Sequence, residues 1–569
     1  MAMTGGQLVV RALEDEGVPF CFGIPGTHNI ELYDALASSA SVRAVLVTDE
    51  QSAGFMADAV WRATGKLACA NIVPGAGLTH AMSGVGEAFM DTVPMLVLGC
   101  GIRRDSGKGY QLHDVDQQAM ARPVTKAQYL VERGEDIYRV VREACWVARS
   151  GAPGPVFVEI PANLYLFTHD ETMAPPRAHA AAPAGPSSIQ HAGDLLNGAK
   201  RPLLYVGLGA AAAPVVALAE RLEAPVATTF QGKGVFPESH PLALWPGFGA
   251  SAPPFAREVA ASCDATLAIG CRFGEVATGS YGITIPGPLV HLDIEAAVIG
   301  RNFPAAVGIV GDAADAGPAL LGLLAQKPKD EALRRTIREG RAEVRAGWAG
   351  AAHDARVAPY LLLRALQARL GPETIFTTDS GNGTFLAMEL LELERPGRFL
   401  APVDYSCMGY SVPAAVAAKL ARPGSPVVAL AGDGAFLMTG LELLTAAHLG
   451  VAVAVFVLRD RELAQIAQFQ RTAMNRPTSS VLPDYDLAAI CRGVGVECIA
   501  LDANDAIDGV LARVKETTAA GRPIVVDTAI DYGTRTHFTR GVVQTNLARL
   551  PWPDRLRFIG RAIVRKVTG

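Results

Sequence analysis

The fold is decided by one stretch of sequence, VVALAGDGAFLMTGLELLTAAHLGVAVAVFVLRDRE at residues 427–462. It contains two runs rich in Val, Leu and Ala, at 427–431 and 451–458, separated by enough residues for one helix. Two buried strands joined by a helix form the βαβ unit of a parallel sheet. The stretch therefore predicts an α/β domain in which both strands end at the same edge of the sheet.

An acidic residue leaves each of these two strands. Asp433 lies in the turn Gly432-Asp433-Gly434, and Asp460 follows it by 27 positions. The backbone amides of such a turn can bind phosphate oxygens, and carboxylate oxygens are ligands of hard cations. A GDG tripeptide alone also serves as an ordinary turn. The two strand ends together predict a site for a diphosphate and a divalent metal ion.

The same alternation of short apolar runs and amphipathic segments continues along nearly the whole chain. Its 569 residues are too many for one hydrophobic core. We predict an α/β protein of three consecutive open parallel-sheet domains followed by a basic C-terminal tail. The predicted segments are a first domain at 1–170, a Pro/Ala-rich linker at 171–188, a central domain at 189–325, a charged helical linker at 326–355, a third domain at 356–532 and the tail, or lid, at 533–569.

Composition and charge favour small-molecule ligands over nucleic acid. Half of the residues are hydrophobic, 19% are charged, and the formal net charge is −5, so no global field attracts a polyanion. Nine cysteines without paired metal spacing are expected to be reduced thiols. No apolar run is long enough to cross a bilayer, and the first residues lack the features of a signal peptide. We therefore expect a cytoplasmic protein.

The basic C-terminal tail is predicted to contain an amphipathic helix. Leu556, Ile559 and Ile563 would share one face of a helix beside several arginines. We expect this helix to pack on its own protein and to expose a solvated basic face. A lid over the active site and contact with a membrane surface are the alternatives.

Several further motifs follow one another along the chain: FGIPG at 22–26, DEQSAGFMADA at 49–59, PGAGLTHAMSGVGEAFMDTVPMLVLG at 74–99, IGCRFGEVATG at 269–279, DSGNG at 379–383 and SCMGYSVPAAVAAKLARP at 406–423. In this order they resemble the motifs of thiamine diphosphate-dependent enzymes, most closely the acetolactate (acetohydroxyacid) synthase branch. The resemblance covers nearly the whole chain. It implies pyrimidine-binding, central and diphosphate-binding domains in that order, with thiamine diphosphate held through Mg²⁺.

The resemblance also implies the metal ligands. Asp433 and Asp460 would bind Mg²⁺ together with the backbone carbonyl of Glu462. Asp460 stands where the family usually has Asn, which adds negative charge beside a diphosphate. Arg459 or Arg461 would be placed to offset that charge.

Other residues would meet the organic part of the cofactor. Glu50 occupies the place of the glutamate that activates the aminopyrimidine ring, although a carboxylate at a helix start also suits the helix dipole. Met408 matches the apolar residue that supports the bent cofactor, with core filling as the alternative, and the carbonyl of Ser406 would accept a hydrogen bond from the 4′-amino group. The phosphates would contact the backbone of Gly381, Asn382, Gly383, Gly432, Gly434 and Ala435.

Two histidines align with loops that line the substrate pocket in relatives. His28 and His113 are predicted to relay protons near neutral pH, and the alternative is that hydrogen bonds simply satisfy them in their loops. Neither is typical of acetohydroxyacid synthases, which indicates another substrate. Gln465, Gln468 and Phe469 would face the same pocket.

The predicted activity is to make or break a carbon–carbon bond next to a carbonyl, in a 2-oxo acid or a 2-hydroxy ketone. In the family, Glu50 reaches a cofactor held mainly by another subunit, so we expect a homodimer or homotetramer. Arg272 and Phe273, with GFGAS at 247–251, resemble the flavin-binding version of the central domain, but FAD is the less favoured expectation. The alternatives are a flavin-linked pyruvate oxidase-like enzyme and a catalytically silent regulatory relative.

Overall fold

Three six-stranded parallel sheets form the framework of the protein. The structure is a computed structural model that describes residues 3–170, 184–351 and 356–568. The predicted fold class, three consecutive parallel-sheet domains, is confirmed.

The first domain carries its sheet in the order β3-β2-β4-β5-β7-β6, with a small antiparallel pair of β1 and β8 beside it. Its strands are β1 (Met3–Thr4), β2 (Phe20–Gly23), β3 (Arg43–Leu46), β4 (Cys69–Ile72), β5 (Met95–Gly101), β6 (Ala127–Leu130), β7 (Pro155–Pro161) and β8 (Thr168–His169). Its helices are α1 (Gly5–Asp15), α2 (Ile30–Ala37), α3 (Glu50–Thr64), α4 (Ala76–Met90), α5 (Gln117–Ala121), α6 (Ile137–Arg149) and α7 (Ala162–Leu166).

The central domain has the strand order β11-β10-β9-β12-β13-β14. Its strands are β9 (Pro202–Val206), β10 (Val226–Thr228), β11 (Ala243–Pro246), β12 (Ala265–Ile269), β13 (Leu289–Asp293) and β14 (Val307–Val310). Its helices are α8 (Pro186–Gly198), α9 (Val215–Leu222), α10 (Pro254–Ala261) and α11 (Ala313–Leu323), and α12 (Glu331–Gly350) lies within the segment predicted as a helical linker. Helix α8 begins inside the predicted linker at 171–188, most of which lies outside the described residues.

The third domain has the order β16-β15-β17-β18-β20-β19. Its strands are β15 (Ile375–Thr378), β16 (Phe399–Leu400), β17 (Val427–Gly432), β18 (Ala454–Arg459), β19 (Glu497–Leu501) and β20 (Ile524–Ala529). Its helices are α13 (Pro359–Leu370), α14 (Asn382–Leu390), α15 (Ser411–Ala421), α16 (Asp433–Thr439), α17 (Leu443–Leu449), α18 (Ala464–Met474), α19 (Leu487–Gly493) and α20 (Ile507–Ala519), and the tail forms α21 (His537–Arg549) and α22 (Trp552–Thr568).

One hydrophobic core joins the first and third domains. Helix α3 packs against both α4 and α15, and the buried face of α15 is a run of small residues that includes Ala414, Ala415 and Ala418. Between α3 and α4 the approach is closest at two glycines: a Cβ added to Gly54 would lie 2.8 Å from the Cα of Gly84. Small residues at these helix crossings allow the helices to pack closely. This close packing fixes the positions of the neighbouring strand ends.

The tail lies on its own chain, but not through the predicted apolar stripe. Helix α22 lies against α18, where the side chain of Asn475 donates to the carbonyl of Arg565 at 2.8 Å. Leu556 and Ile563 are exposed, at 55% and 58%, and the side chain of Ile559 is outside the described residues. None of the helices in the described ranges is both long and apolar enough to cross a membrane.

Candidate active site

Two carboxylates meet at the edge of the third sheet. Strands β17 and β18 are neighbours, with Gly432 paired to Leu458, so Asp433 and Asp460 emerge side by side. The Oδ2 atom of Asp433 accepts hydrogen bonds from the backbone N–H groups of Asp460, at 3.2 Å, and Arg461, at 2.7 Å. The structure thus brings together the two acids that the sequence singled out.

The environment of this pair disfavours two negative charges. Burial and the neighbouring charge of Asp433 raise the pKa of Asp460 to about 7. Burial also raises the pKa of Asp433, which is 1% exposed. Both effects act because a low-dielectric site and a like charge penalise the ionised form. A cation between the two carboxylates would relieve this penalty.

The neighbouring arginines do not offset the charge at 460. Arg459 donates to Asp527 at 2.6 Å, and Arg461 forms an ion pair with Asp484. Both guanidinium groups are therefore engaged with other carboxylates. The expected compensation of Asp460 by either arginine is not what the structure shows.

The main chain of Glu462 faces the pair of acids. Its N–H donates to Oδ1 of Asp460 at 3.2 Å. The preceding carbonyl, of Arg461, accepts instead from the N–H of Leu482 at 2.9 Å on the opposite side. The Glu462 side chain is engaged by Arg471 at 2.6 Å. The backbone of Glu462, rather than its carboxylate, is thus the group available to a metal ion.

The segments predicted to hold the cofactor converge on the same edge. The hydroxyls of Ser380 and Ser406 are 2.7 Å apart, which ties the turn at Gly381-Asn382-Gly383 to the segment at 406–408. A Cβ added to Gly434 would lie 3.7 Å from Cε of Met408. Ser406 adopts a φ of +66°, a conformation that costs energy for a residue with a side chain.

This donor set fits a diphosphate bridged by a hard cation. The candidate ligands are all oxygen atoms, which Mg²⁺ prefers. A Cβ added at Gly381 or Gly432 would meet no atom within 4 Å, so these turns leave space in front of the backbone. Asn382 and Asp433 begin α14 and α16, whose first amides have no partner within the helix.

A second cluster lies at the edge of the first sheet, around Glu50. Helix α3 begins at Glu50, and the side chain of Asp49 caps it by accepting from the N–H of Gln51 at 2.8 Å. Glu50 is 8% exposed. Its Oε2 atom is 3.3 Å from Nδ1 of His80, and a Cβ added to Gly77 would lie 3.1 Å from Oε1. The carboxylate therefore contacts α4 through His80 and lies beside Gly77 with its other oxygen.

His28 and His113 come together although they are far apart in the sequence. Their ring centroids are 5.5 Å apart in an edge-to-face arrangement. Burial and the charge of His113 lower the pKa of His28, because both disfavour the imidazolium. A Cβ added to Gly75 would lie 3.5 Å from Nδ1 of His113, and Gly75 immediately precedes α4. The histidine pair thus lies beside Gly75, which follows β4, at the same edge of the first sheet as Glu50, which follows β3.

Comparison with known proteins assigns all three domains. The N-terminal TPP binding domain of thiamine pyrophosphate enzymes matches residues 3–120, their central domain 189–320, and their C-terminal TPP binding domain 379–528. The chain belongs to the thiamine pyrophosphate enzymes. The family predicted from the sequence motifs is confirmed.

Curated relatives place this thiamine pyrophosphate enzyme in the acetolactate synthase branch. A probable acetolactate synthase large subunit of Methanocaldococcus jannaschii is 30% identical over 93% of this chain and 92% of its own length. The acetolactate synthase isozyme 3 large subunit of Escherichia coli is 30% identical over 93% and 95%. A probable 2-ketoarginine decarboxylase of Pseudomonas aeruginosa is 34% identical over 87% and 88%. The predicted activity class, thiamine pyrophosphate-dependent decarboxylase or carboligase, is confirmed.

Sequence reasoning missed several polar residues of this thiamine pyrophosphate enzyme. The carboxylate of Glu442 accepts from the N–H of Thr48 at 3.2 Å and from its hydroxyl at 2.8 Å, and so anchors the residues just before Glu50. Glu87 is buried and accepts from the N–H of Cys407 at 3.0 Å, next to Ser406. His80 and Glu87 lie in the motif quoted at 74–99, so the sequence could have singled them out as candidate site residues. Their contacts with Glu50 and Cys407 depend on tertiary packing and could not be predicted from the motif.

The three residues of α18 that were predicted to face the substrate pocket have different surroundings. Gln468 donates to the carbonyl of Tyr532 at 3.3 Å and lines a small cleft with Asn382. Gln465 and Phe469 do not line that cleft. Phe469 is 36% exposed, so it is free to meet another surface.

A larger cavity, of about 460 Å³, lies at the carboxyl ends of the central strands. Arg272 lines it but donates to Asp404 at 2.8 Å. Phe273 is 1% exposed and packs among Tyr205 and Phe303 in the core. Of the two residues that suggested flavin, only Arg272 therefore faces the cavity.

Proposed function

We propose that this protein is a homo-oligomeric enzyme that holds thiamine diphosphate through Mg²⁺ and cleaves or forms the bond next to the carbonyl of a 2-oxo acid or 2-hydroxy ketone. The observation that carries the proposal is the convergence of Asp433 and Asp460 on adjacent strand ends, facing the backbone of Glu462. Free cysteines and the absence of a basic overall charge support a cytoplasmic, nucleic-acid-independent role.

The proposed roles fall to two clusters of residues, one around Asp433 in the third domain and one around Glu50 in the first. When bound, thiamine diphosphate supplies a carbon centre that adds to carbonyl groups and stabilises the charge left on the neighbouring carbon. Asp433, Asp460 and the Glu462 carbonyl would hold the metal ion. Glu50 would hold and move a proton at the pyrimidine ring nitrogen. The main-chain groups around Gly381 and Gly434 would orient the phosphates.

The histidine pair gives the site its own proton chemistry. His28 and His113 lie together beside Gly75, and the lowered pKa of His28 favours a neutral imidazole that accepts a proton. We propose that the pair moves protons to and from the substrate. Gln465, Gln468 and Phe469 of α18 would then shape the other wall of the pocket.

The proposed site requires two subunits. Within one protomer, Glu50 contacts His80, and Asp433 accepts a hydrogen bond from the backbone of Arg461. Family geometry pairs the first domain of one subunit with the third domain of another. A homodimer is therefore the smallest active form proposed, and a homotetramer contains two such dimers.

The substrate is tested directly by offering candidates to the assembled holoenzyme. Purified protein with thiamine diphosphate and Mg²⁺ is incubated with pyruvate, 2-ketoarginine and other 2-oxo acids, with and without aldehyde acceptors, and products are identified by mass spectrometry. We expect loss of carbon dioxide from at least one acid. Calorimetric titration with the cofactor and Mg²⁺ accompanies it: no binding by a properly assembled dimer would favour the catalytically silent regulatory relative and overturn the proposal.

A flavin-linked, pyruvate oxidase-like enzyme is the second candidate. Two observations favour it: the cavity of about 460 Å³ between the central domain and its two neighbours, and the exposed apolar side chains of α22, including Trp552 and Leu556, beside arginines. Flavin absorbance in the purified protein together with activity stimulated by anionic lipid vesicles would select this candidate. FAD remains the less favoured cofactor because Phe273 points into the core.

A further inference from the structure

The carboxylate of Glu50 contacts the imidazole of His80, at 3.3 Å between Oε2 and Nδ1. The glutamate belongs to the proposed function, but no role has been given to the histidine. His80 is 60% exposed in its side chain, whereas that of Glu50 is 10% exposed. A buried carboxylate thus meets solvent through one imidazole.

The backbone fixes this pair by a simple geometric device. Gly54 lies one helical turn after Glu50 in α3, and Gly84 lies one turn after His80 in α4. A Cβ added to Gly84 would lie 2.6 Å from the Cα of Gly54, so the two helices touch backbone to backbone at this level. Because α-helical side chains lean toward the N-terminus, the glutamate and the histidine meet one turn above the crossing.

The two carboxylate oxygens of Glu50 have different surroundings. Oε2 faces Nδ1 of His80 at 3.3 Å. Oε1 lies over Gly77, where a Cβ would approach to 3.1 Å. A side chain at position 77 would crowd Oε1, and the glycine leaves more room beside that oxygen. One oxygen is therefore bound to the imidazole and the other is open to a ligand in front of the sheet edge.

We infer that His80 is a positioning and proton-relay residue, which holds Oε2 of Glu50 so that Oε1 meets the cofactor and which connects that carboxylate to solvent. When Glu50 takes a proton from Nδ1 of His80, water delivers one to Nε2 and leaves as hydroxide, so the imidazole stays neutral in its other tautomer. The starting tautomer returns in the reverse transfer, when Glu50 gives a proton back to Nδ1 and Nε2 releases one to solvent hydroxide. Imidazoles exchange protons rapidly near neutral pH. The inference rests on the proposed role of Glu50.

Other titratable groups lie around the Glu50–His80 pair, and their charges would affect how the protonation of the pair changes with pH. Asp49 caps α3, Glu442 of the third domain is bonded to Thr48, and the His28–His113 pair lies across Gly75. Asp49 and Glu442 accept hydrogen bonds from backbone or hydroxyl groups. His80 is distinguished among these groups by its direct contact with Glu50.

The test compares His80→Gln and His80→Ala with His191→Gln, an exposed histidine on α8 of the central domain. Both His80 variants should fold, because the side chain is largely exposed and α4 tolerates Ala and Gln. We expect kcat at pH 7 to fall by about 10- to 100-fold and KM to change by less than about threefold. His80→Gln should also lose the neutral-pH limb of the kcat profile, and free imidazole should restore part of the activity of His80→Ala.

A readout without turnover accompanies these measurements. Titration calorimetry in two buffers of different ionisation enthalpy gives the protons exchanged when thiamine diphosphate and Mg²⁺ bind. We expect the pH dependence of this number to shift in His80→Gln and not in His191→Gln. Unchanged proton exchange together with an unchanged kcat profile, or a loss of activity that imidazole does not restore, would overturn the inference. Glu50→Gln separates the two ideas, since its full activity would instead remove the proposed role of Glu50.

Discussion

The first and third domains have the same strand order but carry different chemistry. Counted along the chain from β2 and from β15, both six-stranded sheets run 2-1-3-4-6-5, whereas the central sheet runs 3-2-1-4-5-6. In the third domain, acids follow the third and fourth strands, Asp433 and Asp460. In the first, Glu50 follows the second strand, at the sheet edge, and a glycine-rich turn follows the third. The same strand order thus presents acids at different strand ends, and under the proposed function one arrangement would hold a metal-bound diphosphate and the other would move a proton.

The largest expected effect comes from removing the acid of the first domain. Glu50→Gln keeps the shape and the hydrogen-bonding capacity at the start of α3 but cannot carry a proton. We expect kcat to fall by about 10²- to 10⁴-fold, while the Kd for thiamine diphosphate stays within about threefold. Steady-state kinetics and calorimetric titration of the same preparation measure the two quantities. Undiminished turnover would mean that the two domains do not divide the chemistry in this way.

A change in the third domain should act on affinity instead. Asp460→Asn removes a negative charge that neither Arg459 nor Arg461 offsets. At saturating Mg²⁺ we expect the Kd for thiamine diphosphate to fall by up to about tenfold, because repulsion between the carboxylate and the diphosphate is lost. Equilibrium titration after dialysis against a chelator checks this. Weaker binding of the cofactor by the Asn variant would show that the second carboxylate is needed as a metal ligand.

The helix crossing that supports the first cluster should be sensitive to a single methyl group. Gly54→Ala places a Cβ 2.8 Å from the backbone of Gly84, and such overpacking costs about 1–3 kcal/mol. Gly347→Ala is the matched control, since a Cβ there meets no atom within 4 Å in α12, and it should stabilise slightly. Denaturant midpoints compare the two. Equal denaturant midpoints for both variants would show that the α3–α4 crossing is not tightly packed and does not support Glu50.

The smallest expected effect is a pH dependence at the junction between the domains. Burial, reinforced by Asp91, raises the pKa of Glu87 well above the usual carboxyl range. The folded state therefore keeps a proton that the unfolded chain releases, and the free energy of unfolding falls as the pH rises above that range. Glu87→Gln is neutral at every pH and should gain up to about 1.4 kcal/mol over the native protein between pH 6 and 7. Chemical unfolding at both pH values measures this, with the exposed Glu343→Gln as control; an unchanged difference would contradict it.

The strand ends were predictable from the sequence because they depend on local pattern. Two apolar runs, a GDG turn and a helix-sized spacing were enough to expect Asp433 next to Asp460, and the collinear motifs gave the family. The partners of Arg459 and His80 were not predictable, because they depend on how β18 meets β20 and how α3 crosses α4. The exposed face of α22 was also missed, since periodicity shows which residues share a face and not what covers it.

The glycine crossing has a practical consequence for protein engineering. The loops that hold His28 and His113 lie outside the α3–α4 crossing, and under the proposed function they are the place to vary the substrate. A mutagenesis library that also includes positions 54 and 84 would mostly yield misassembled members. Restricting diversity to the loops, with both glycines kept, separates selection for a new substrate from selection for survival of the fold.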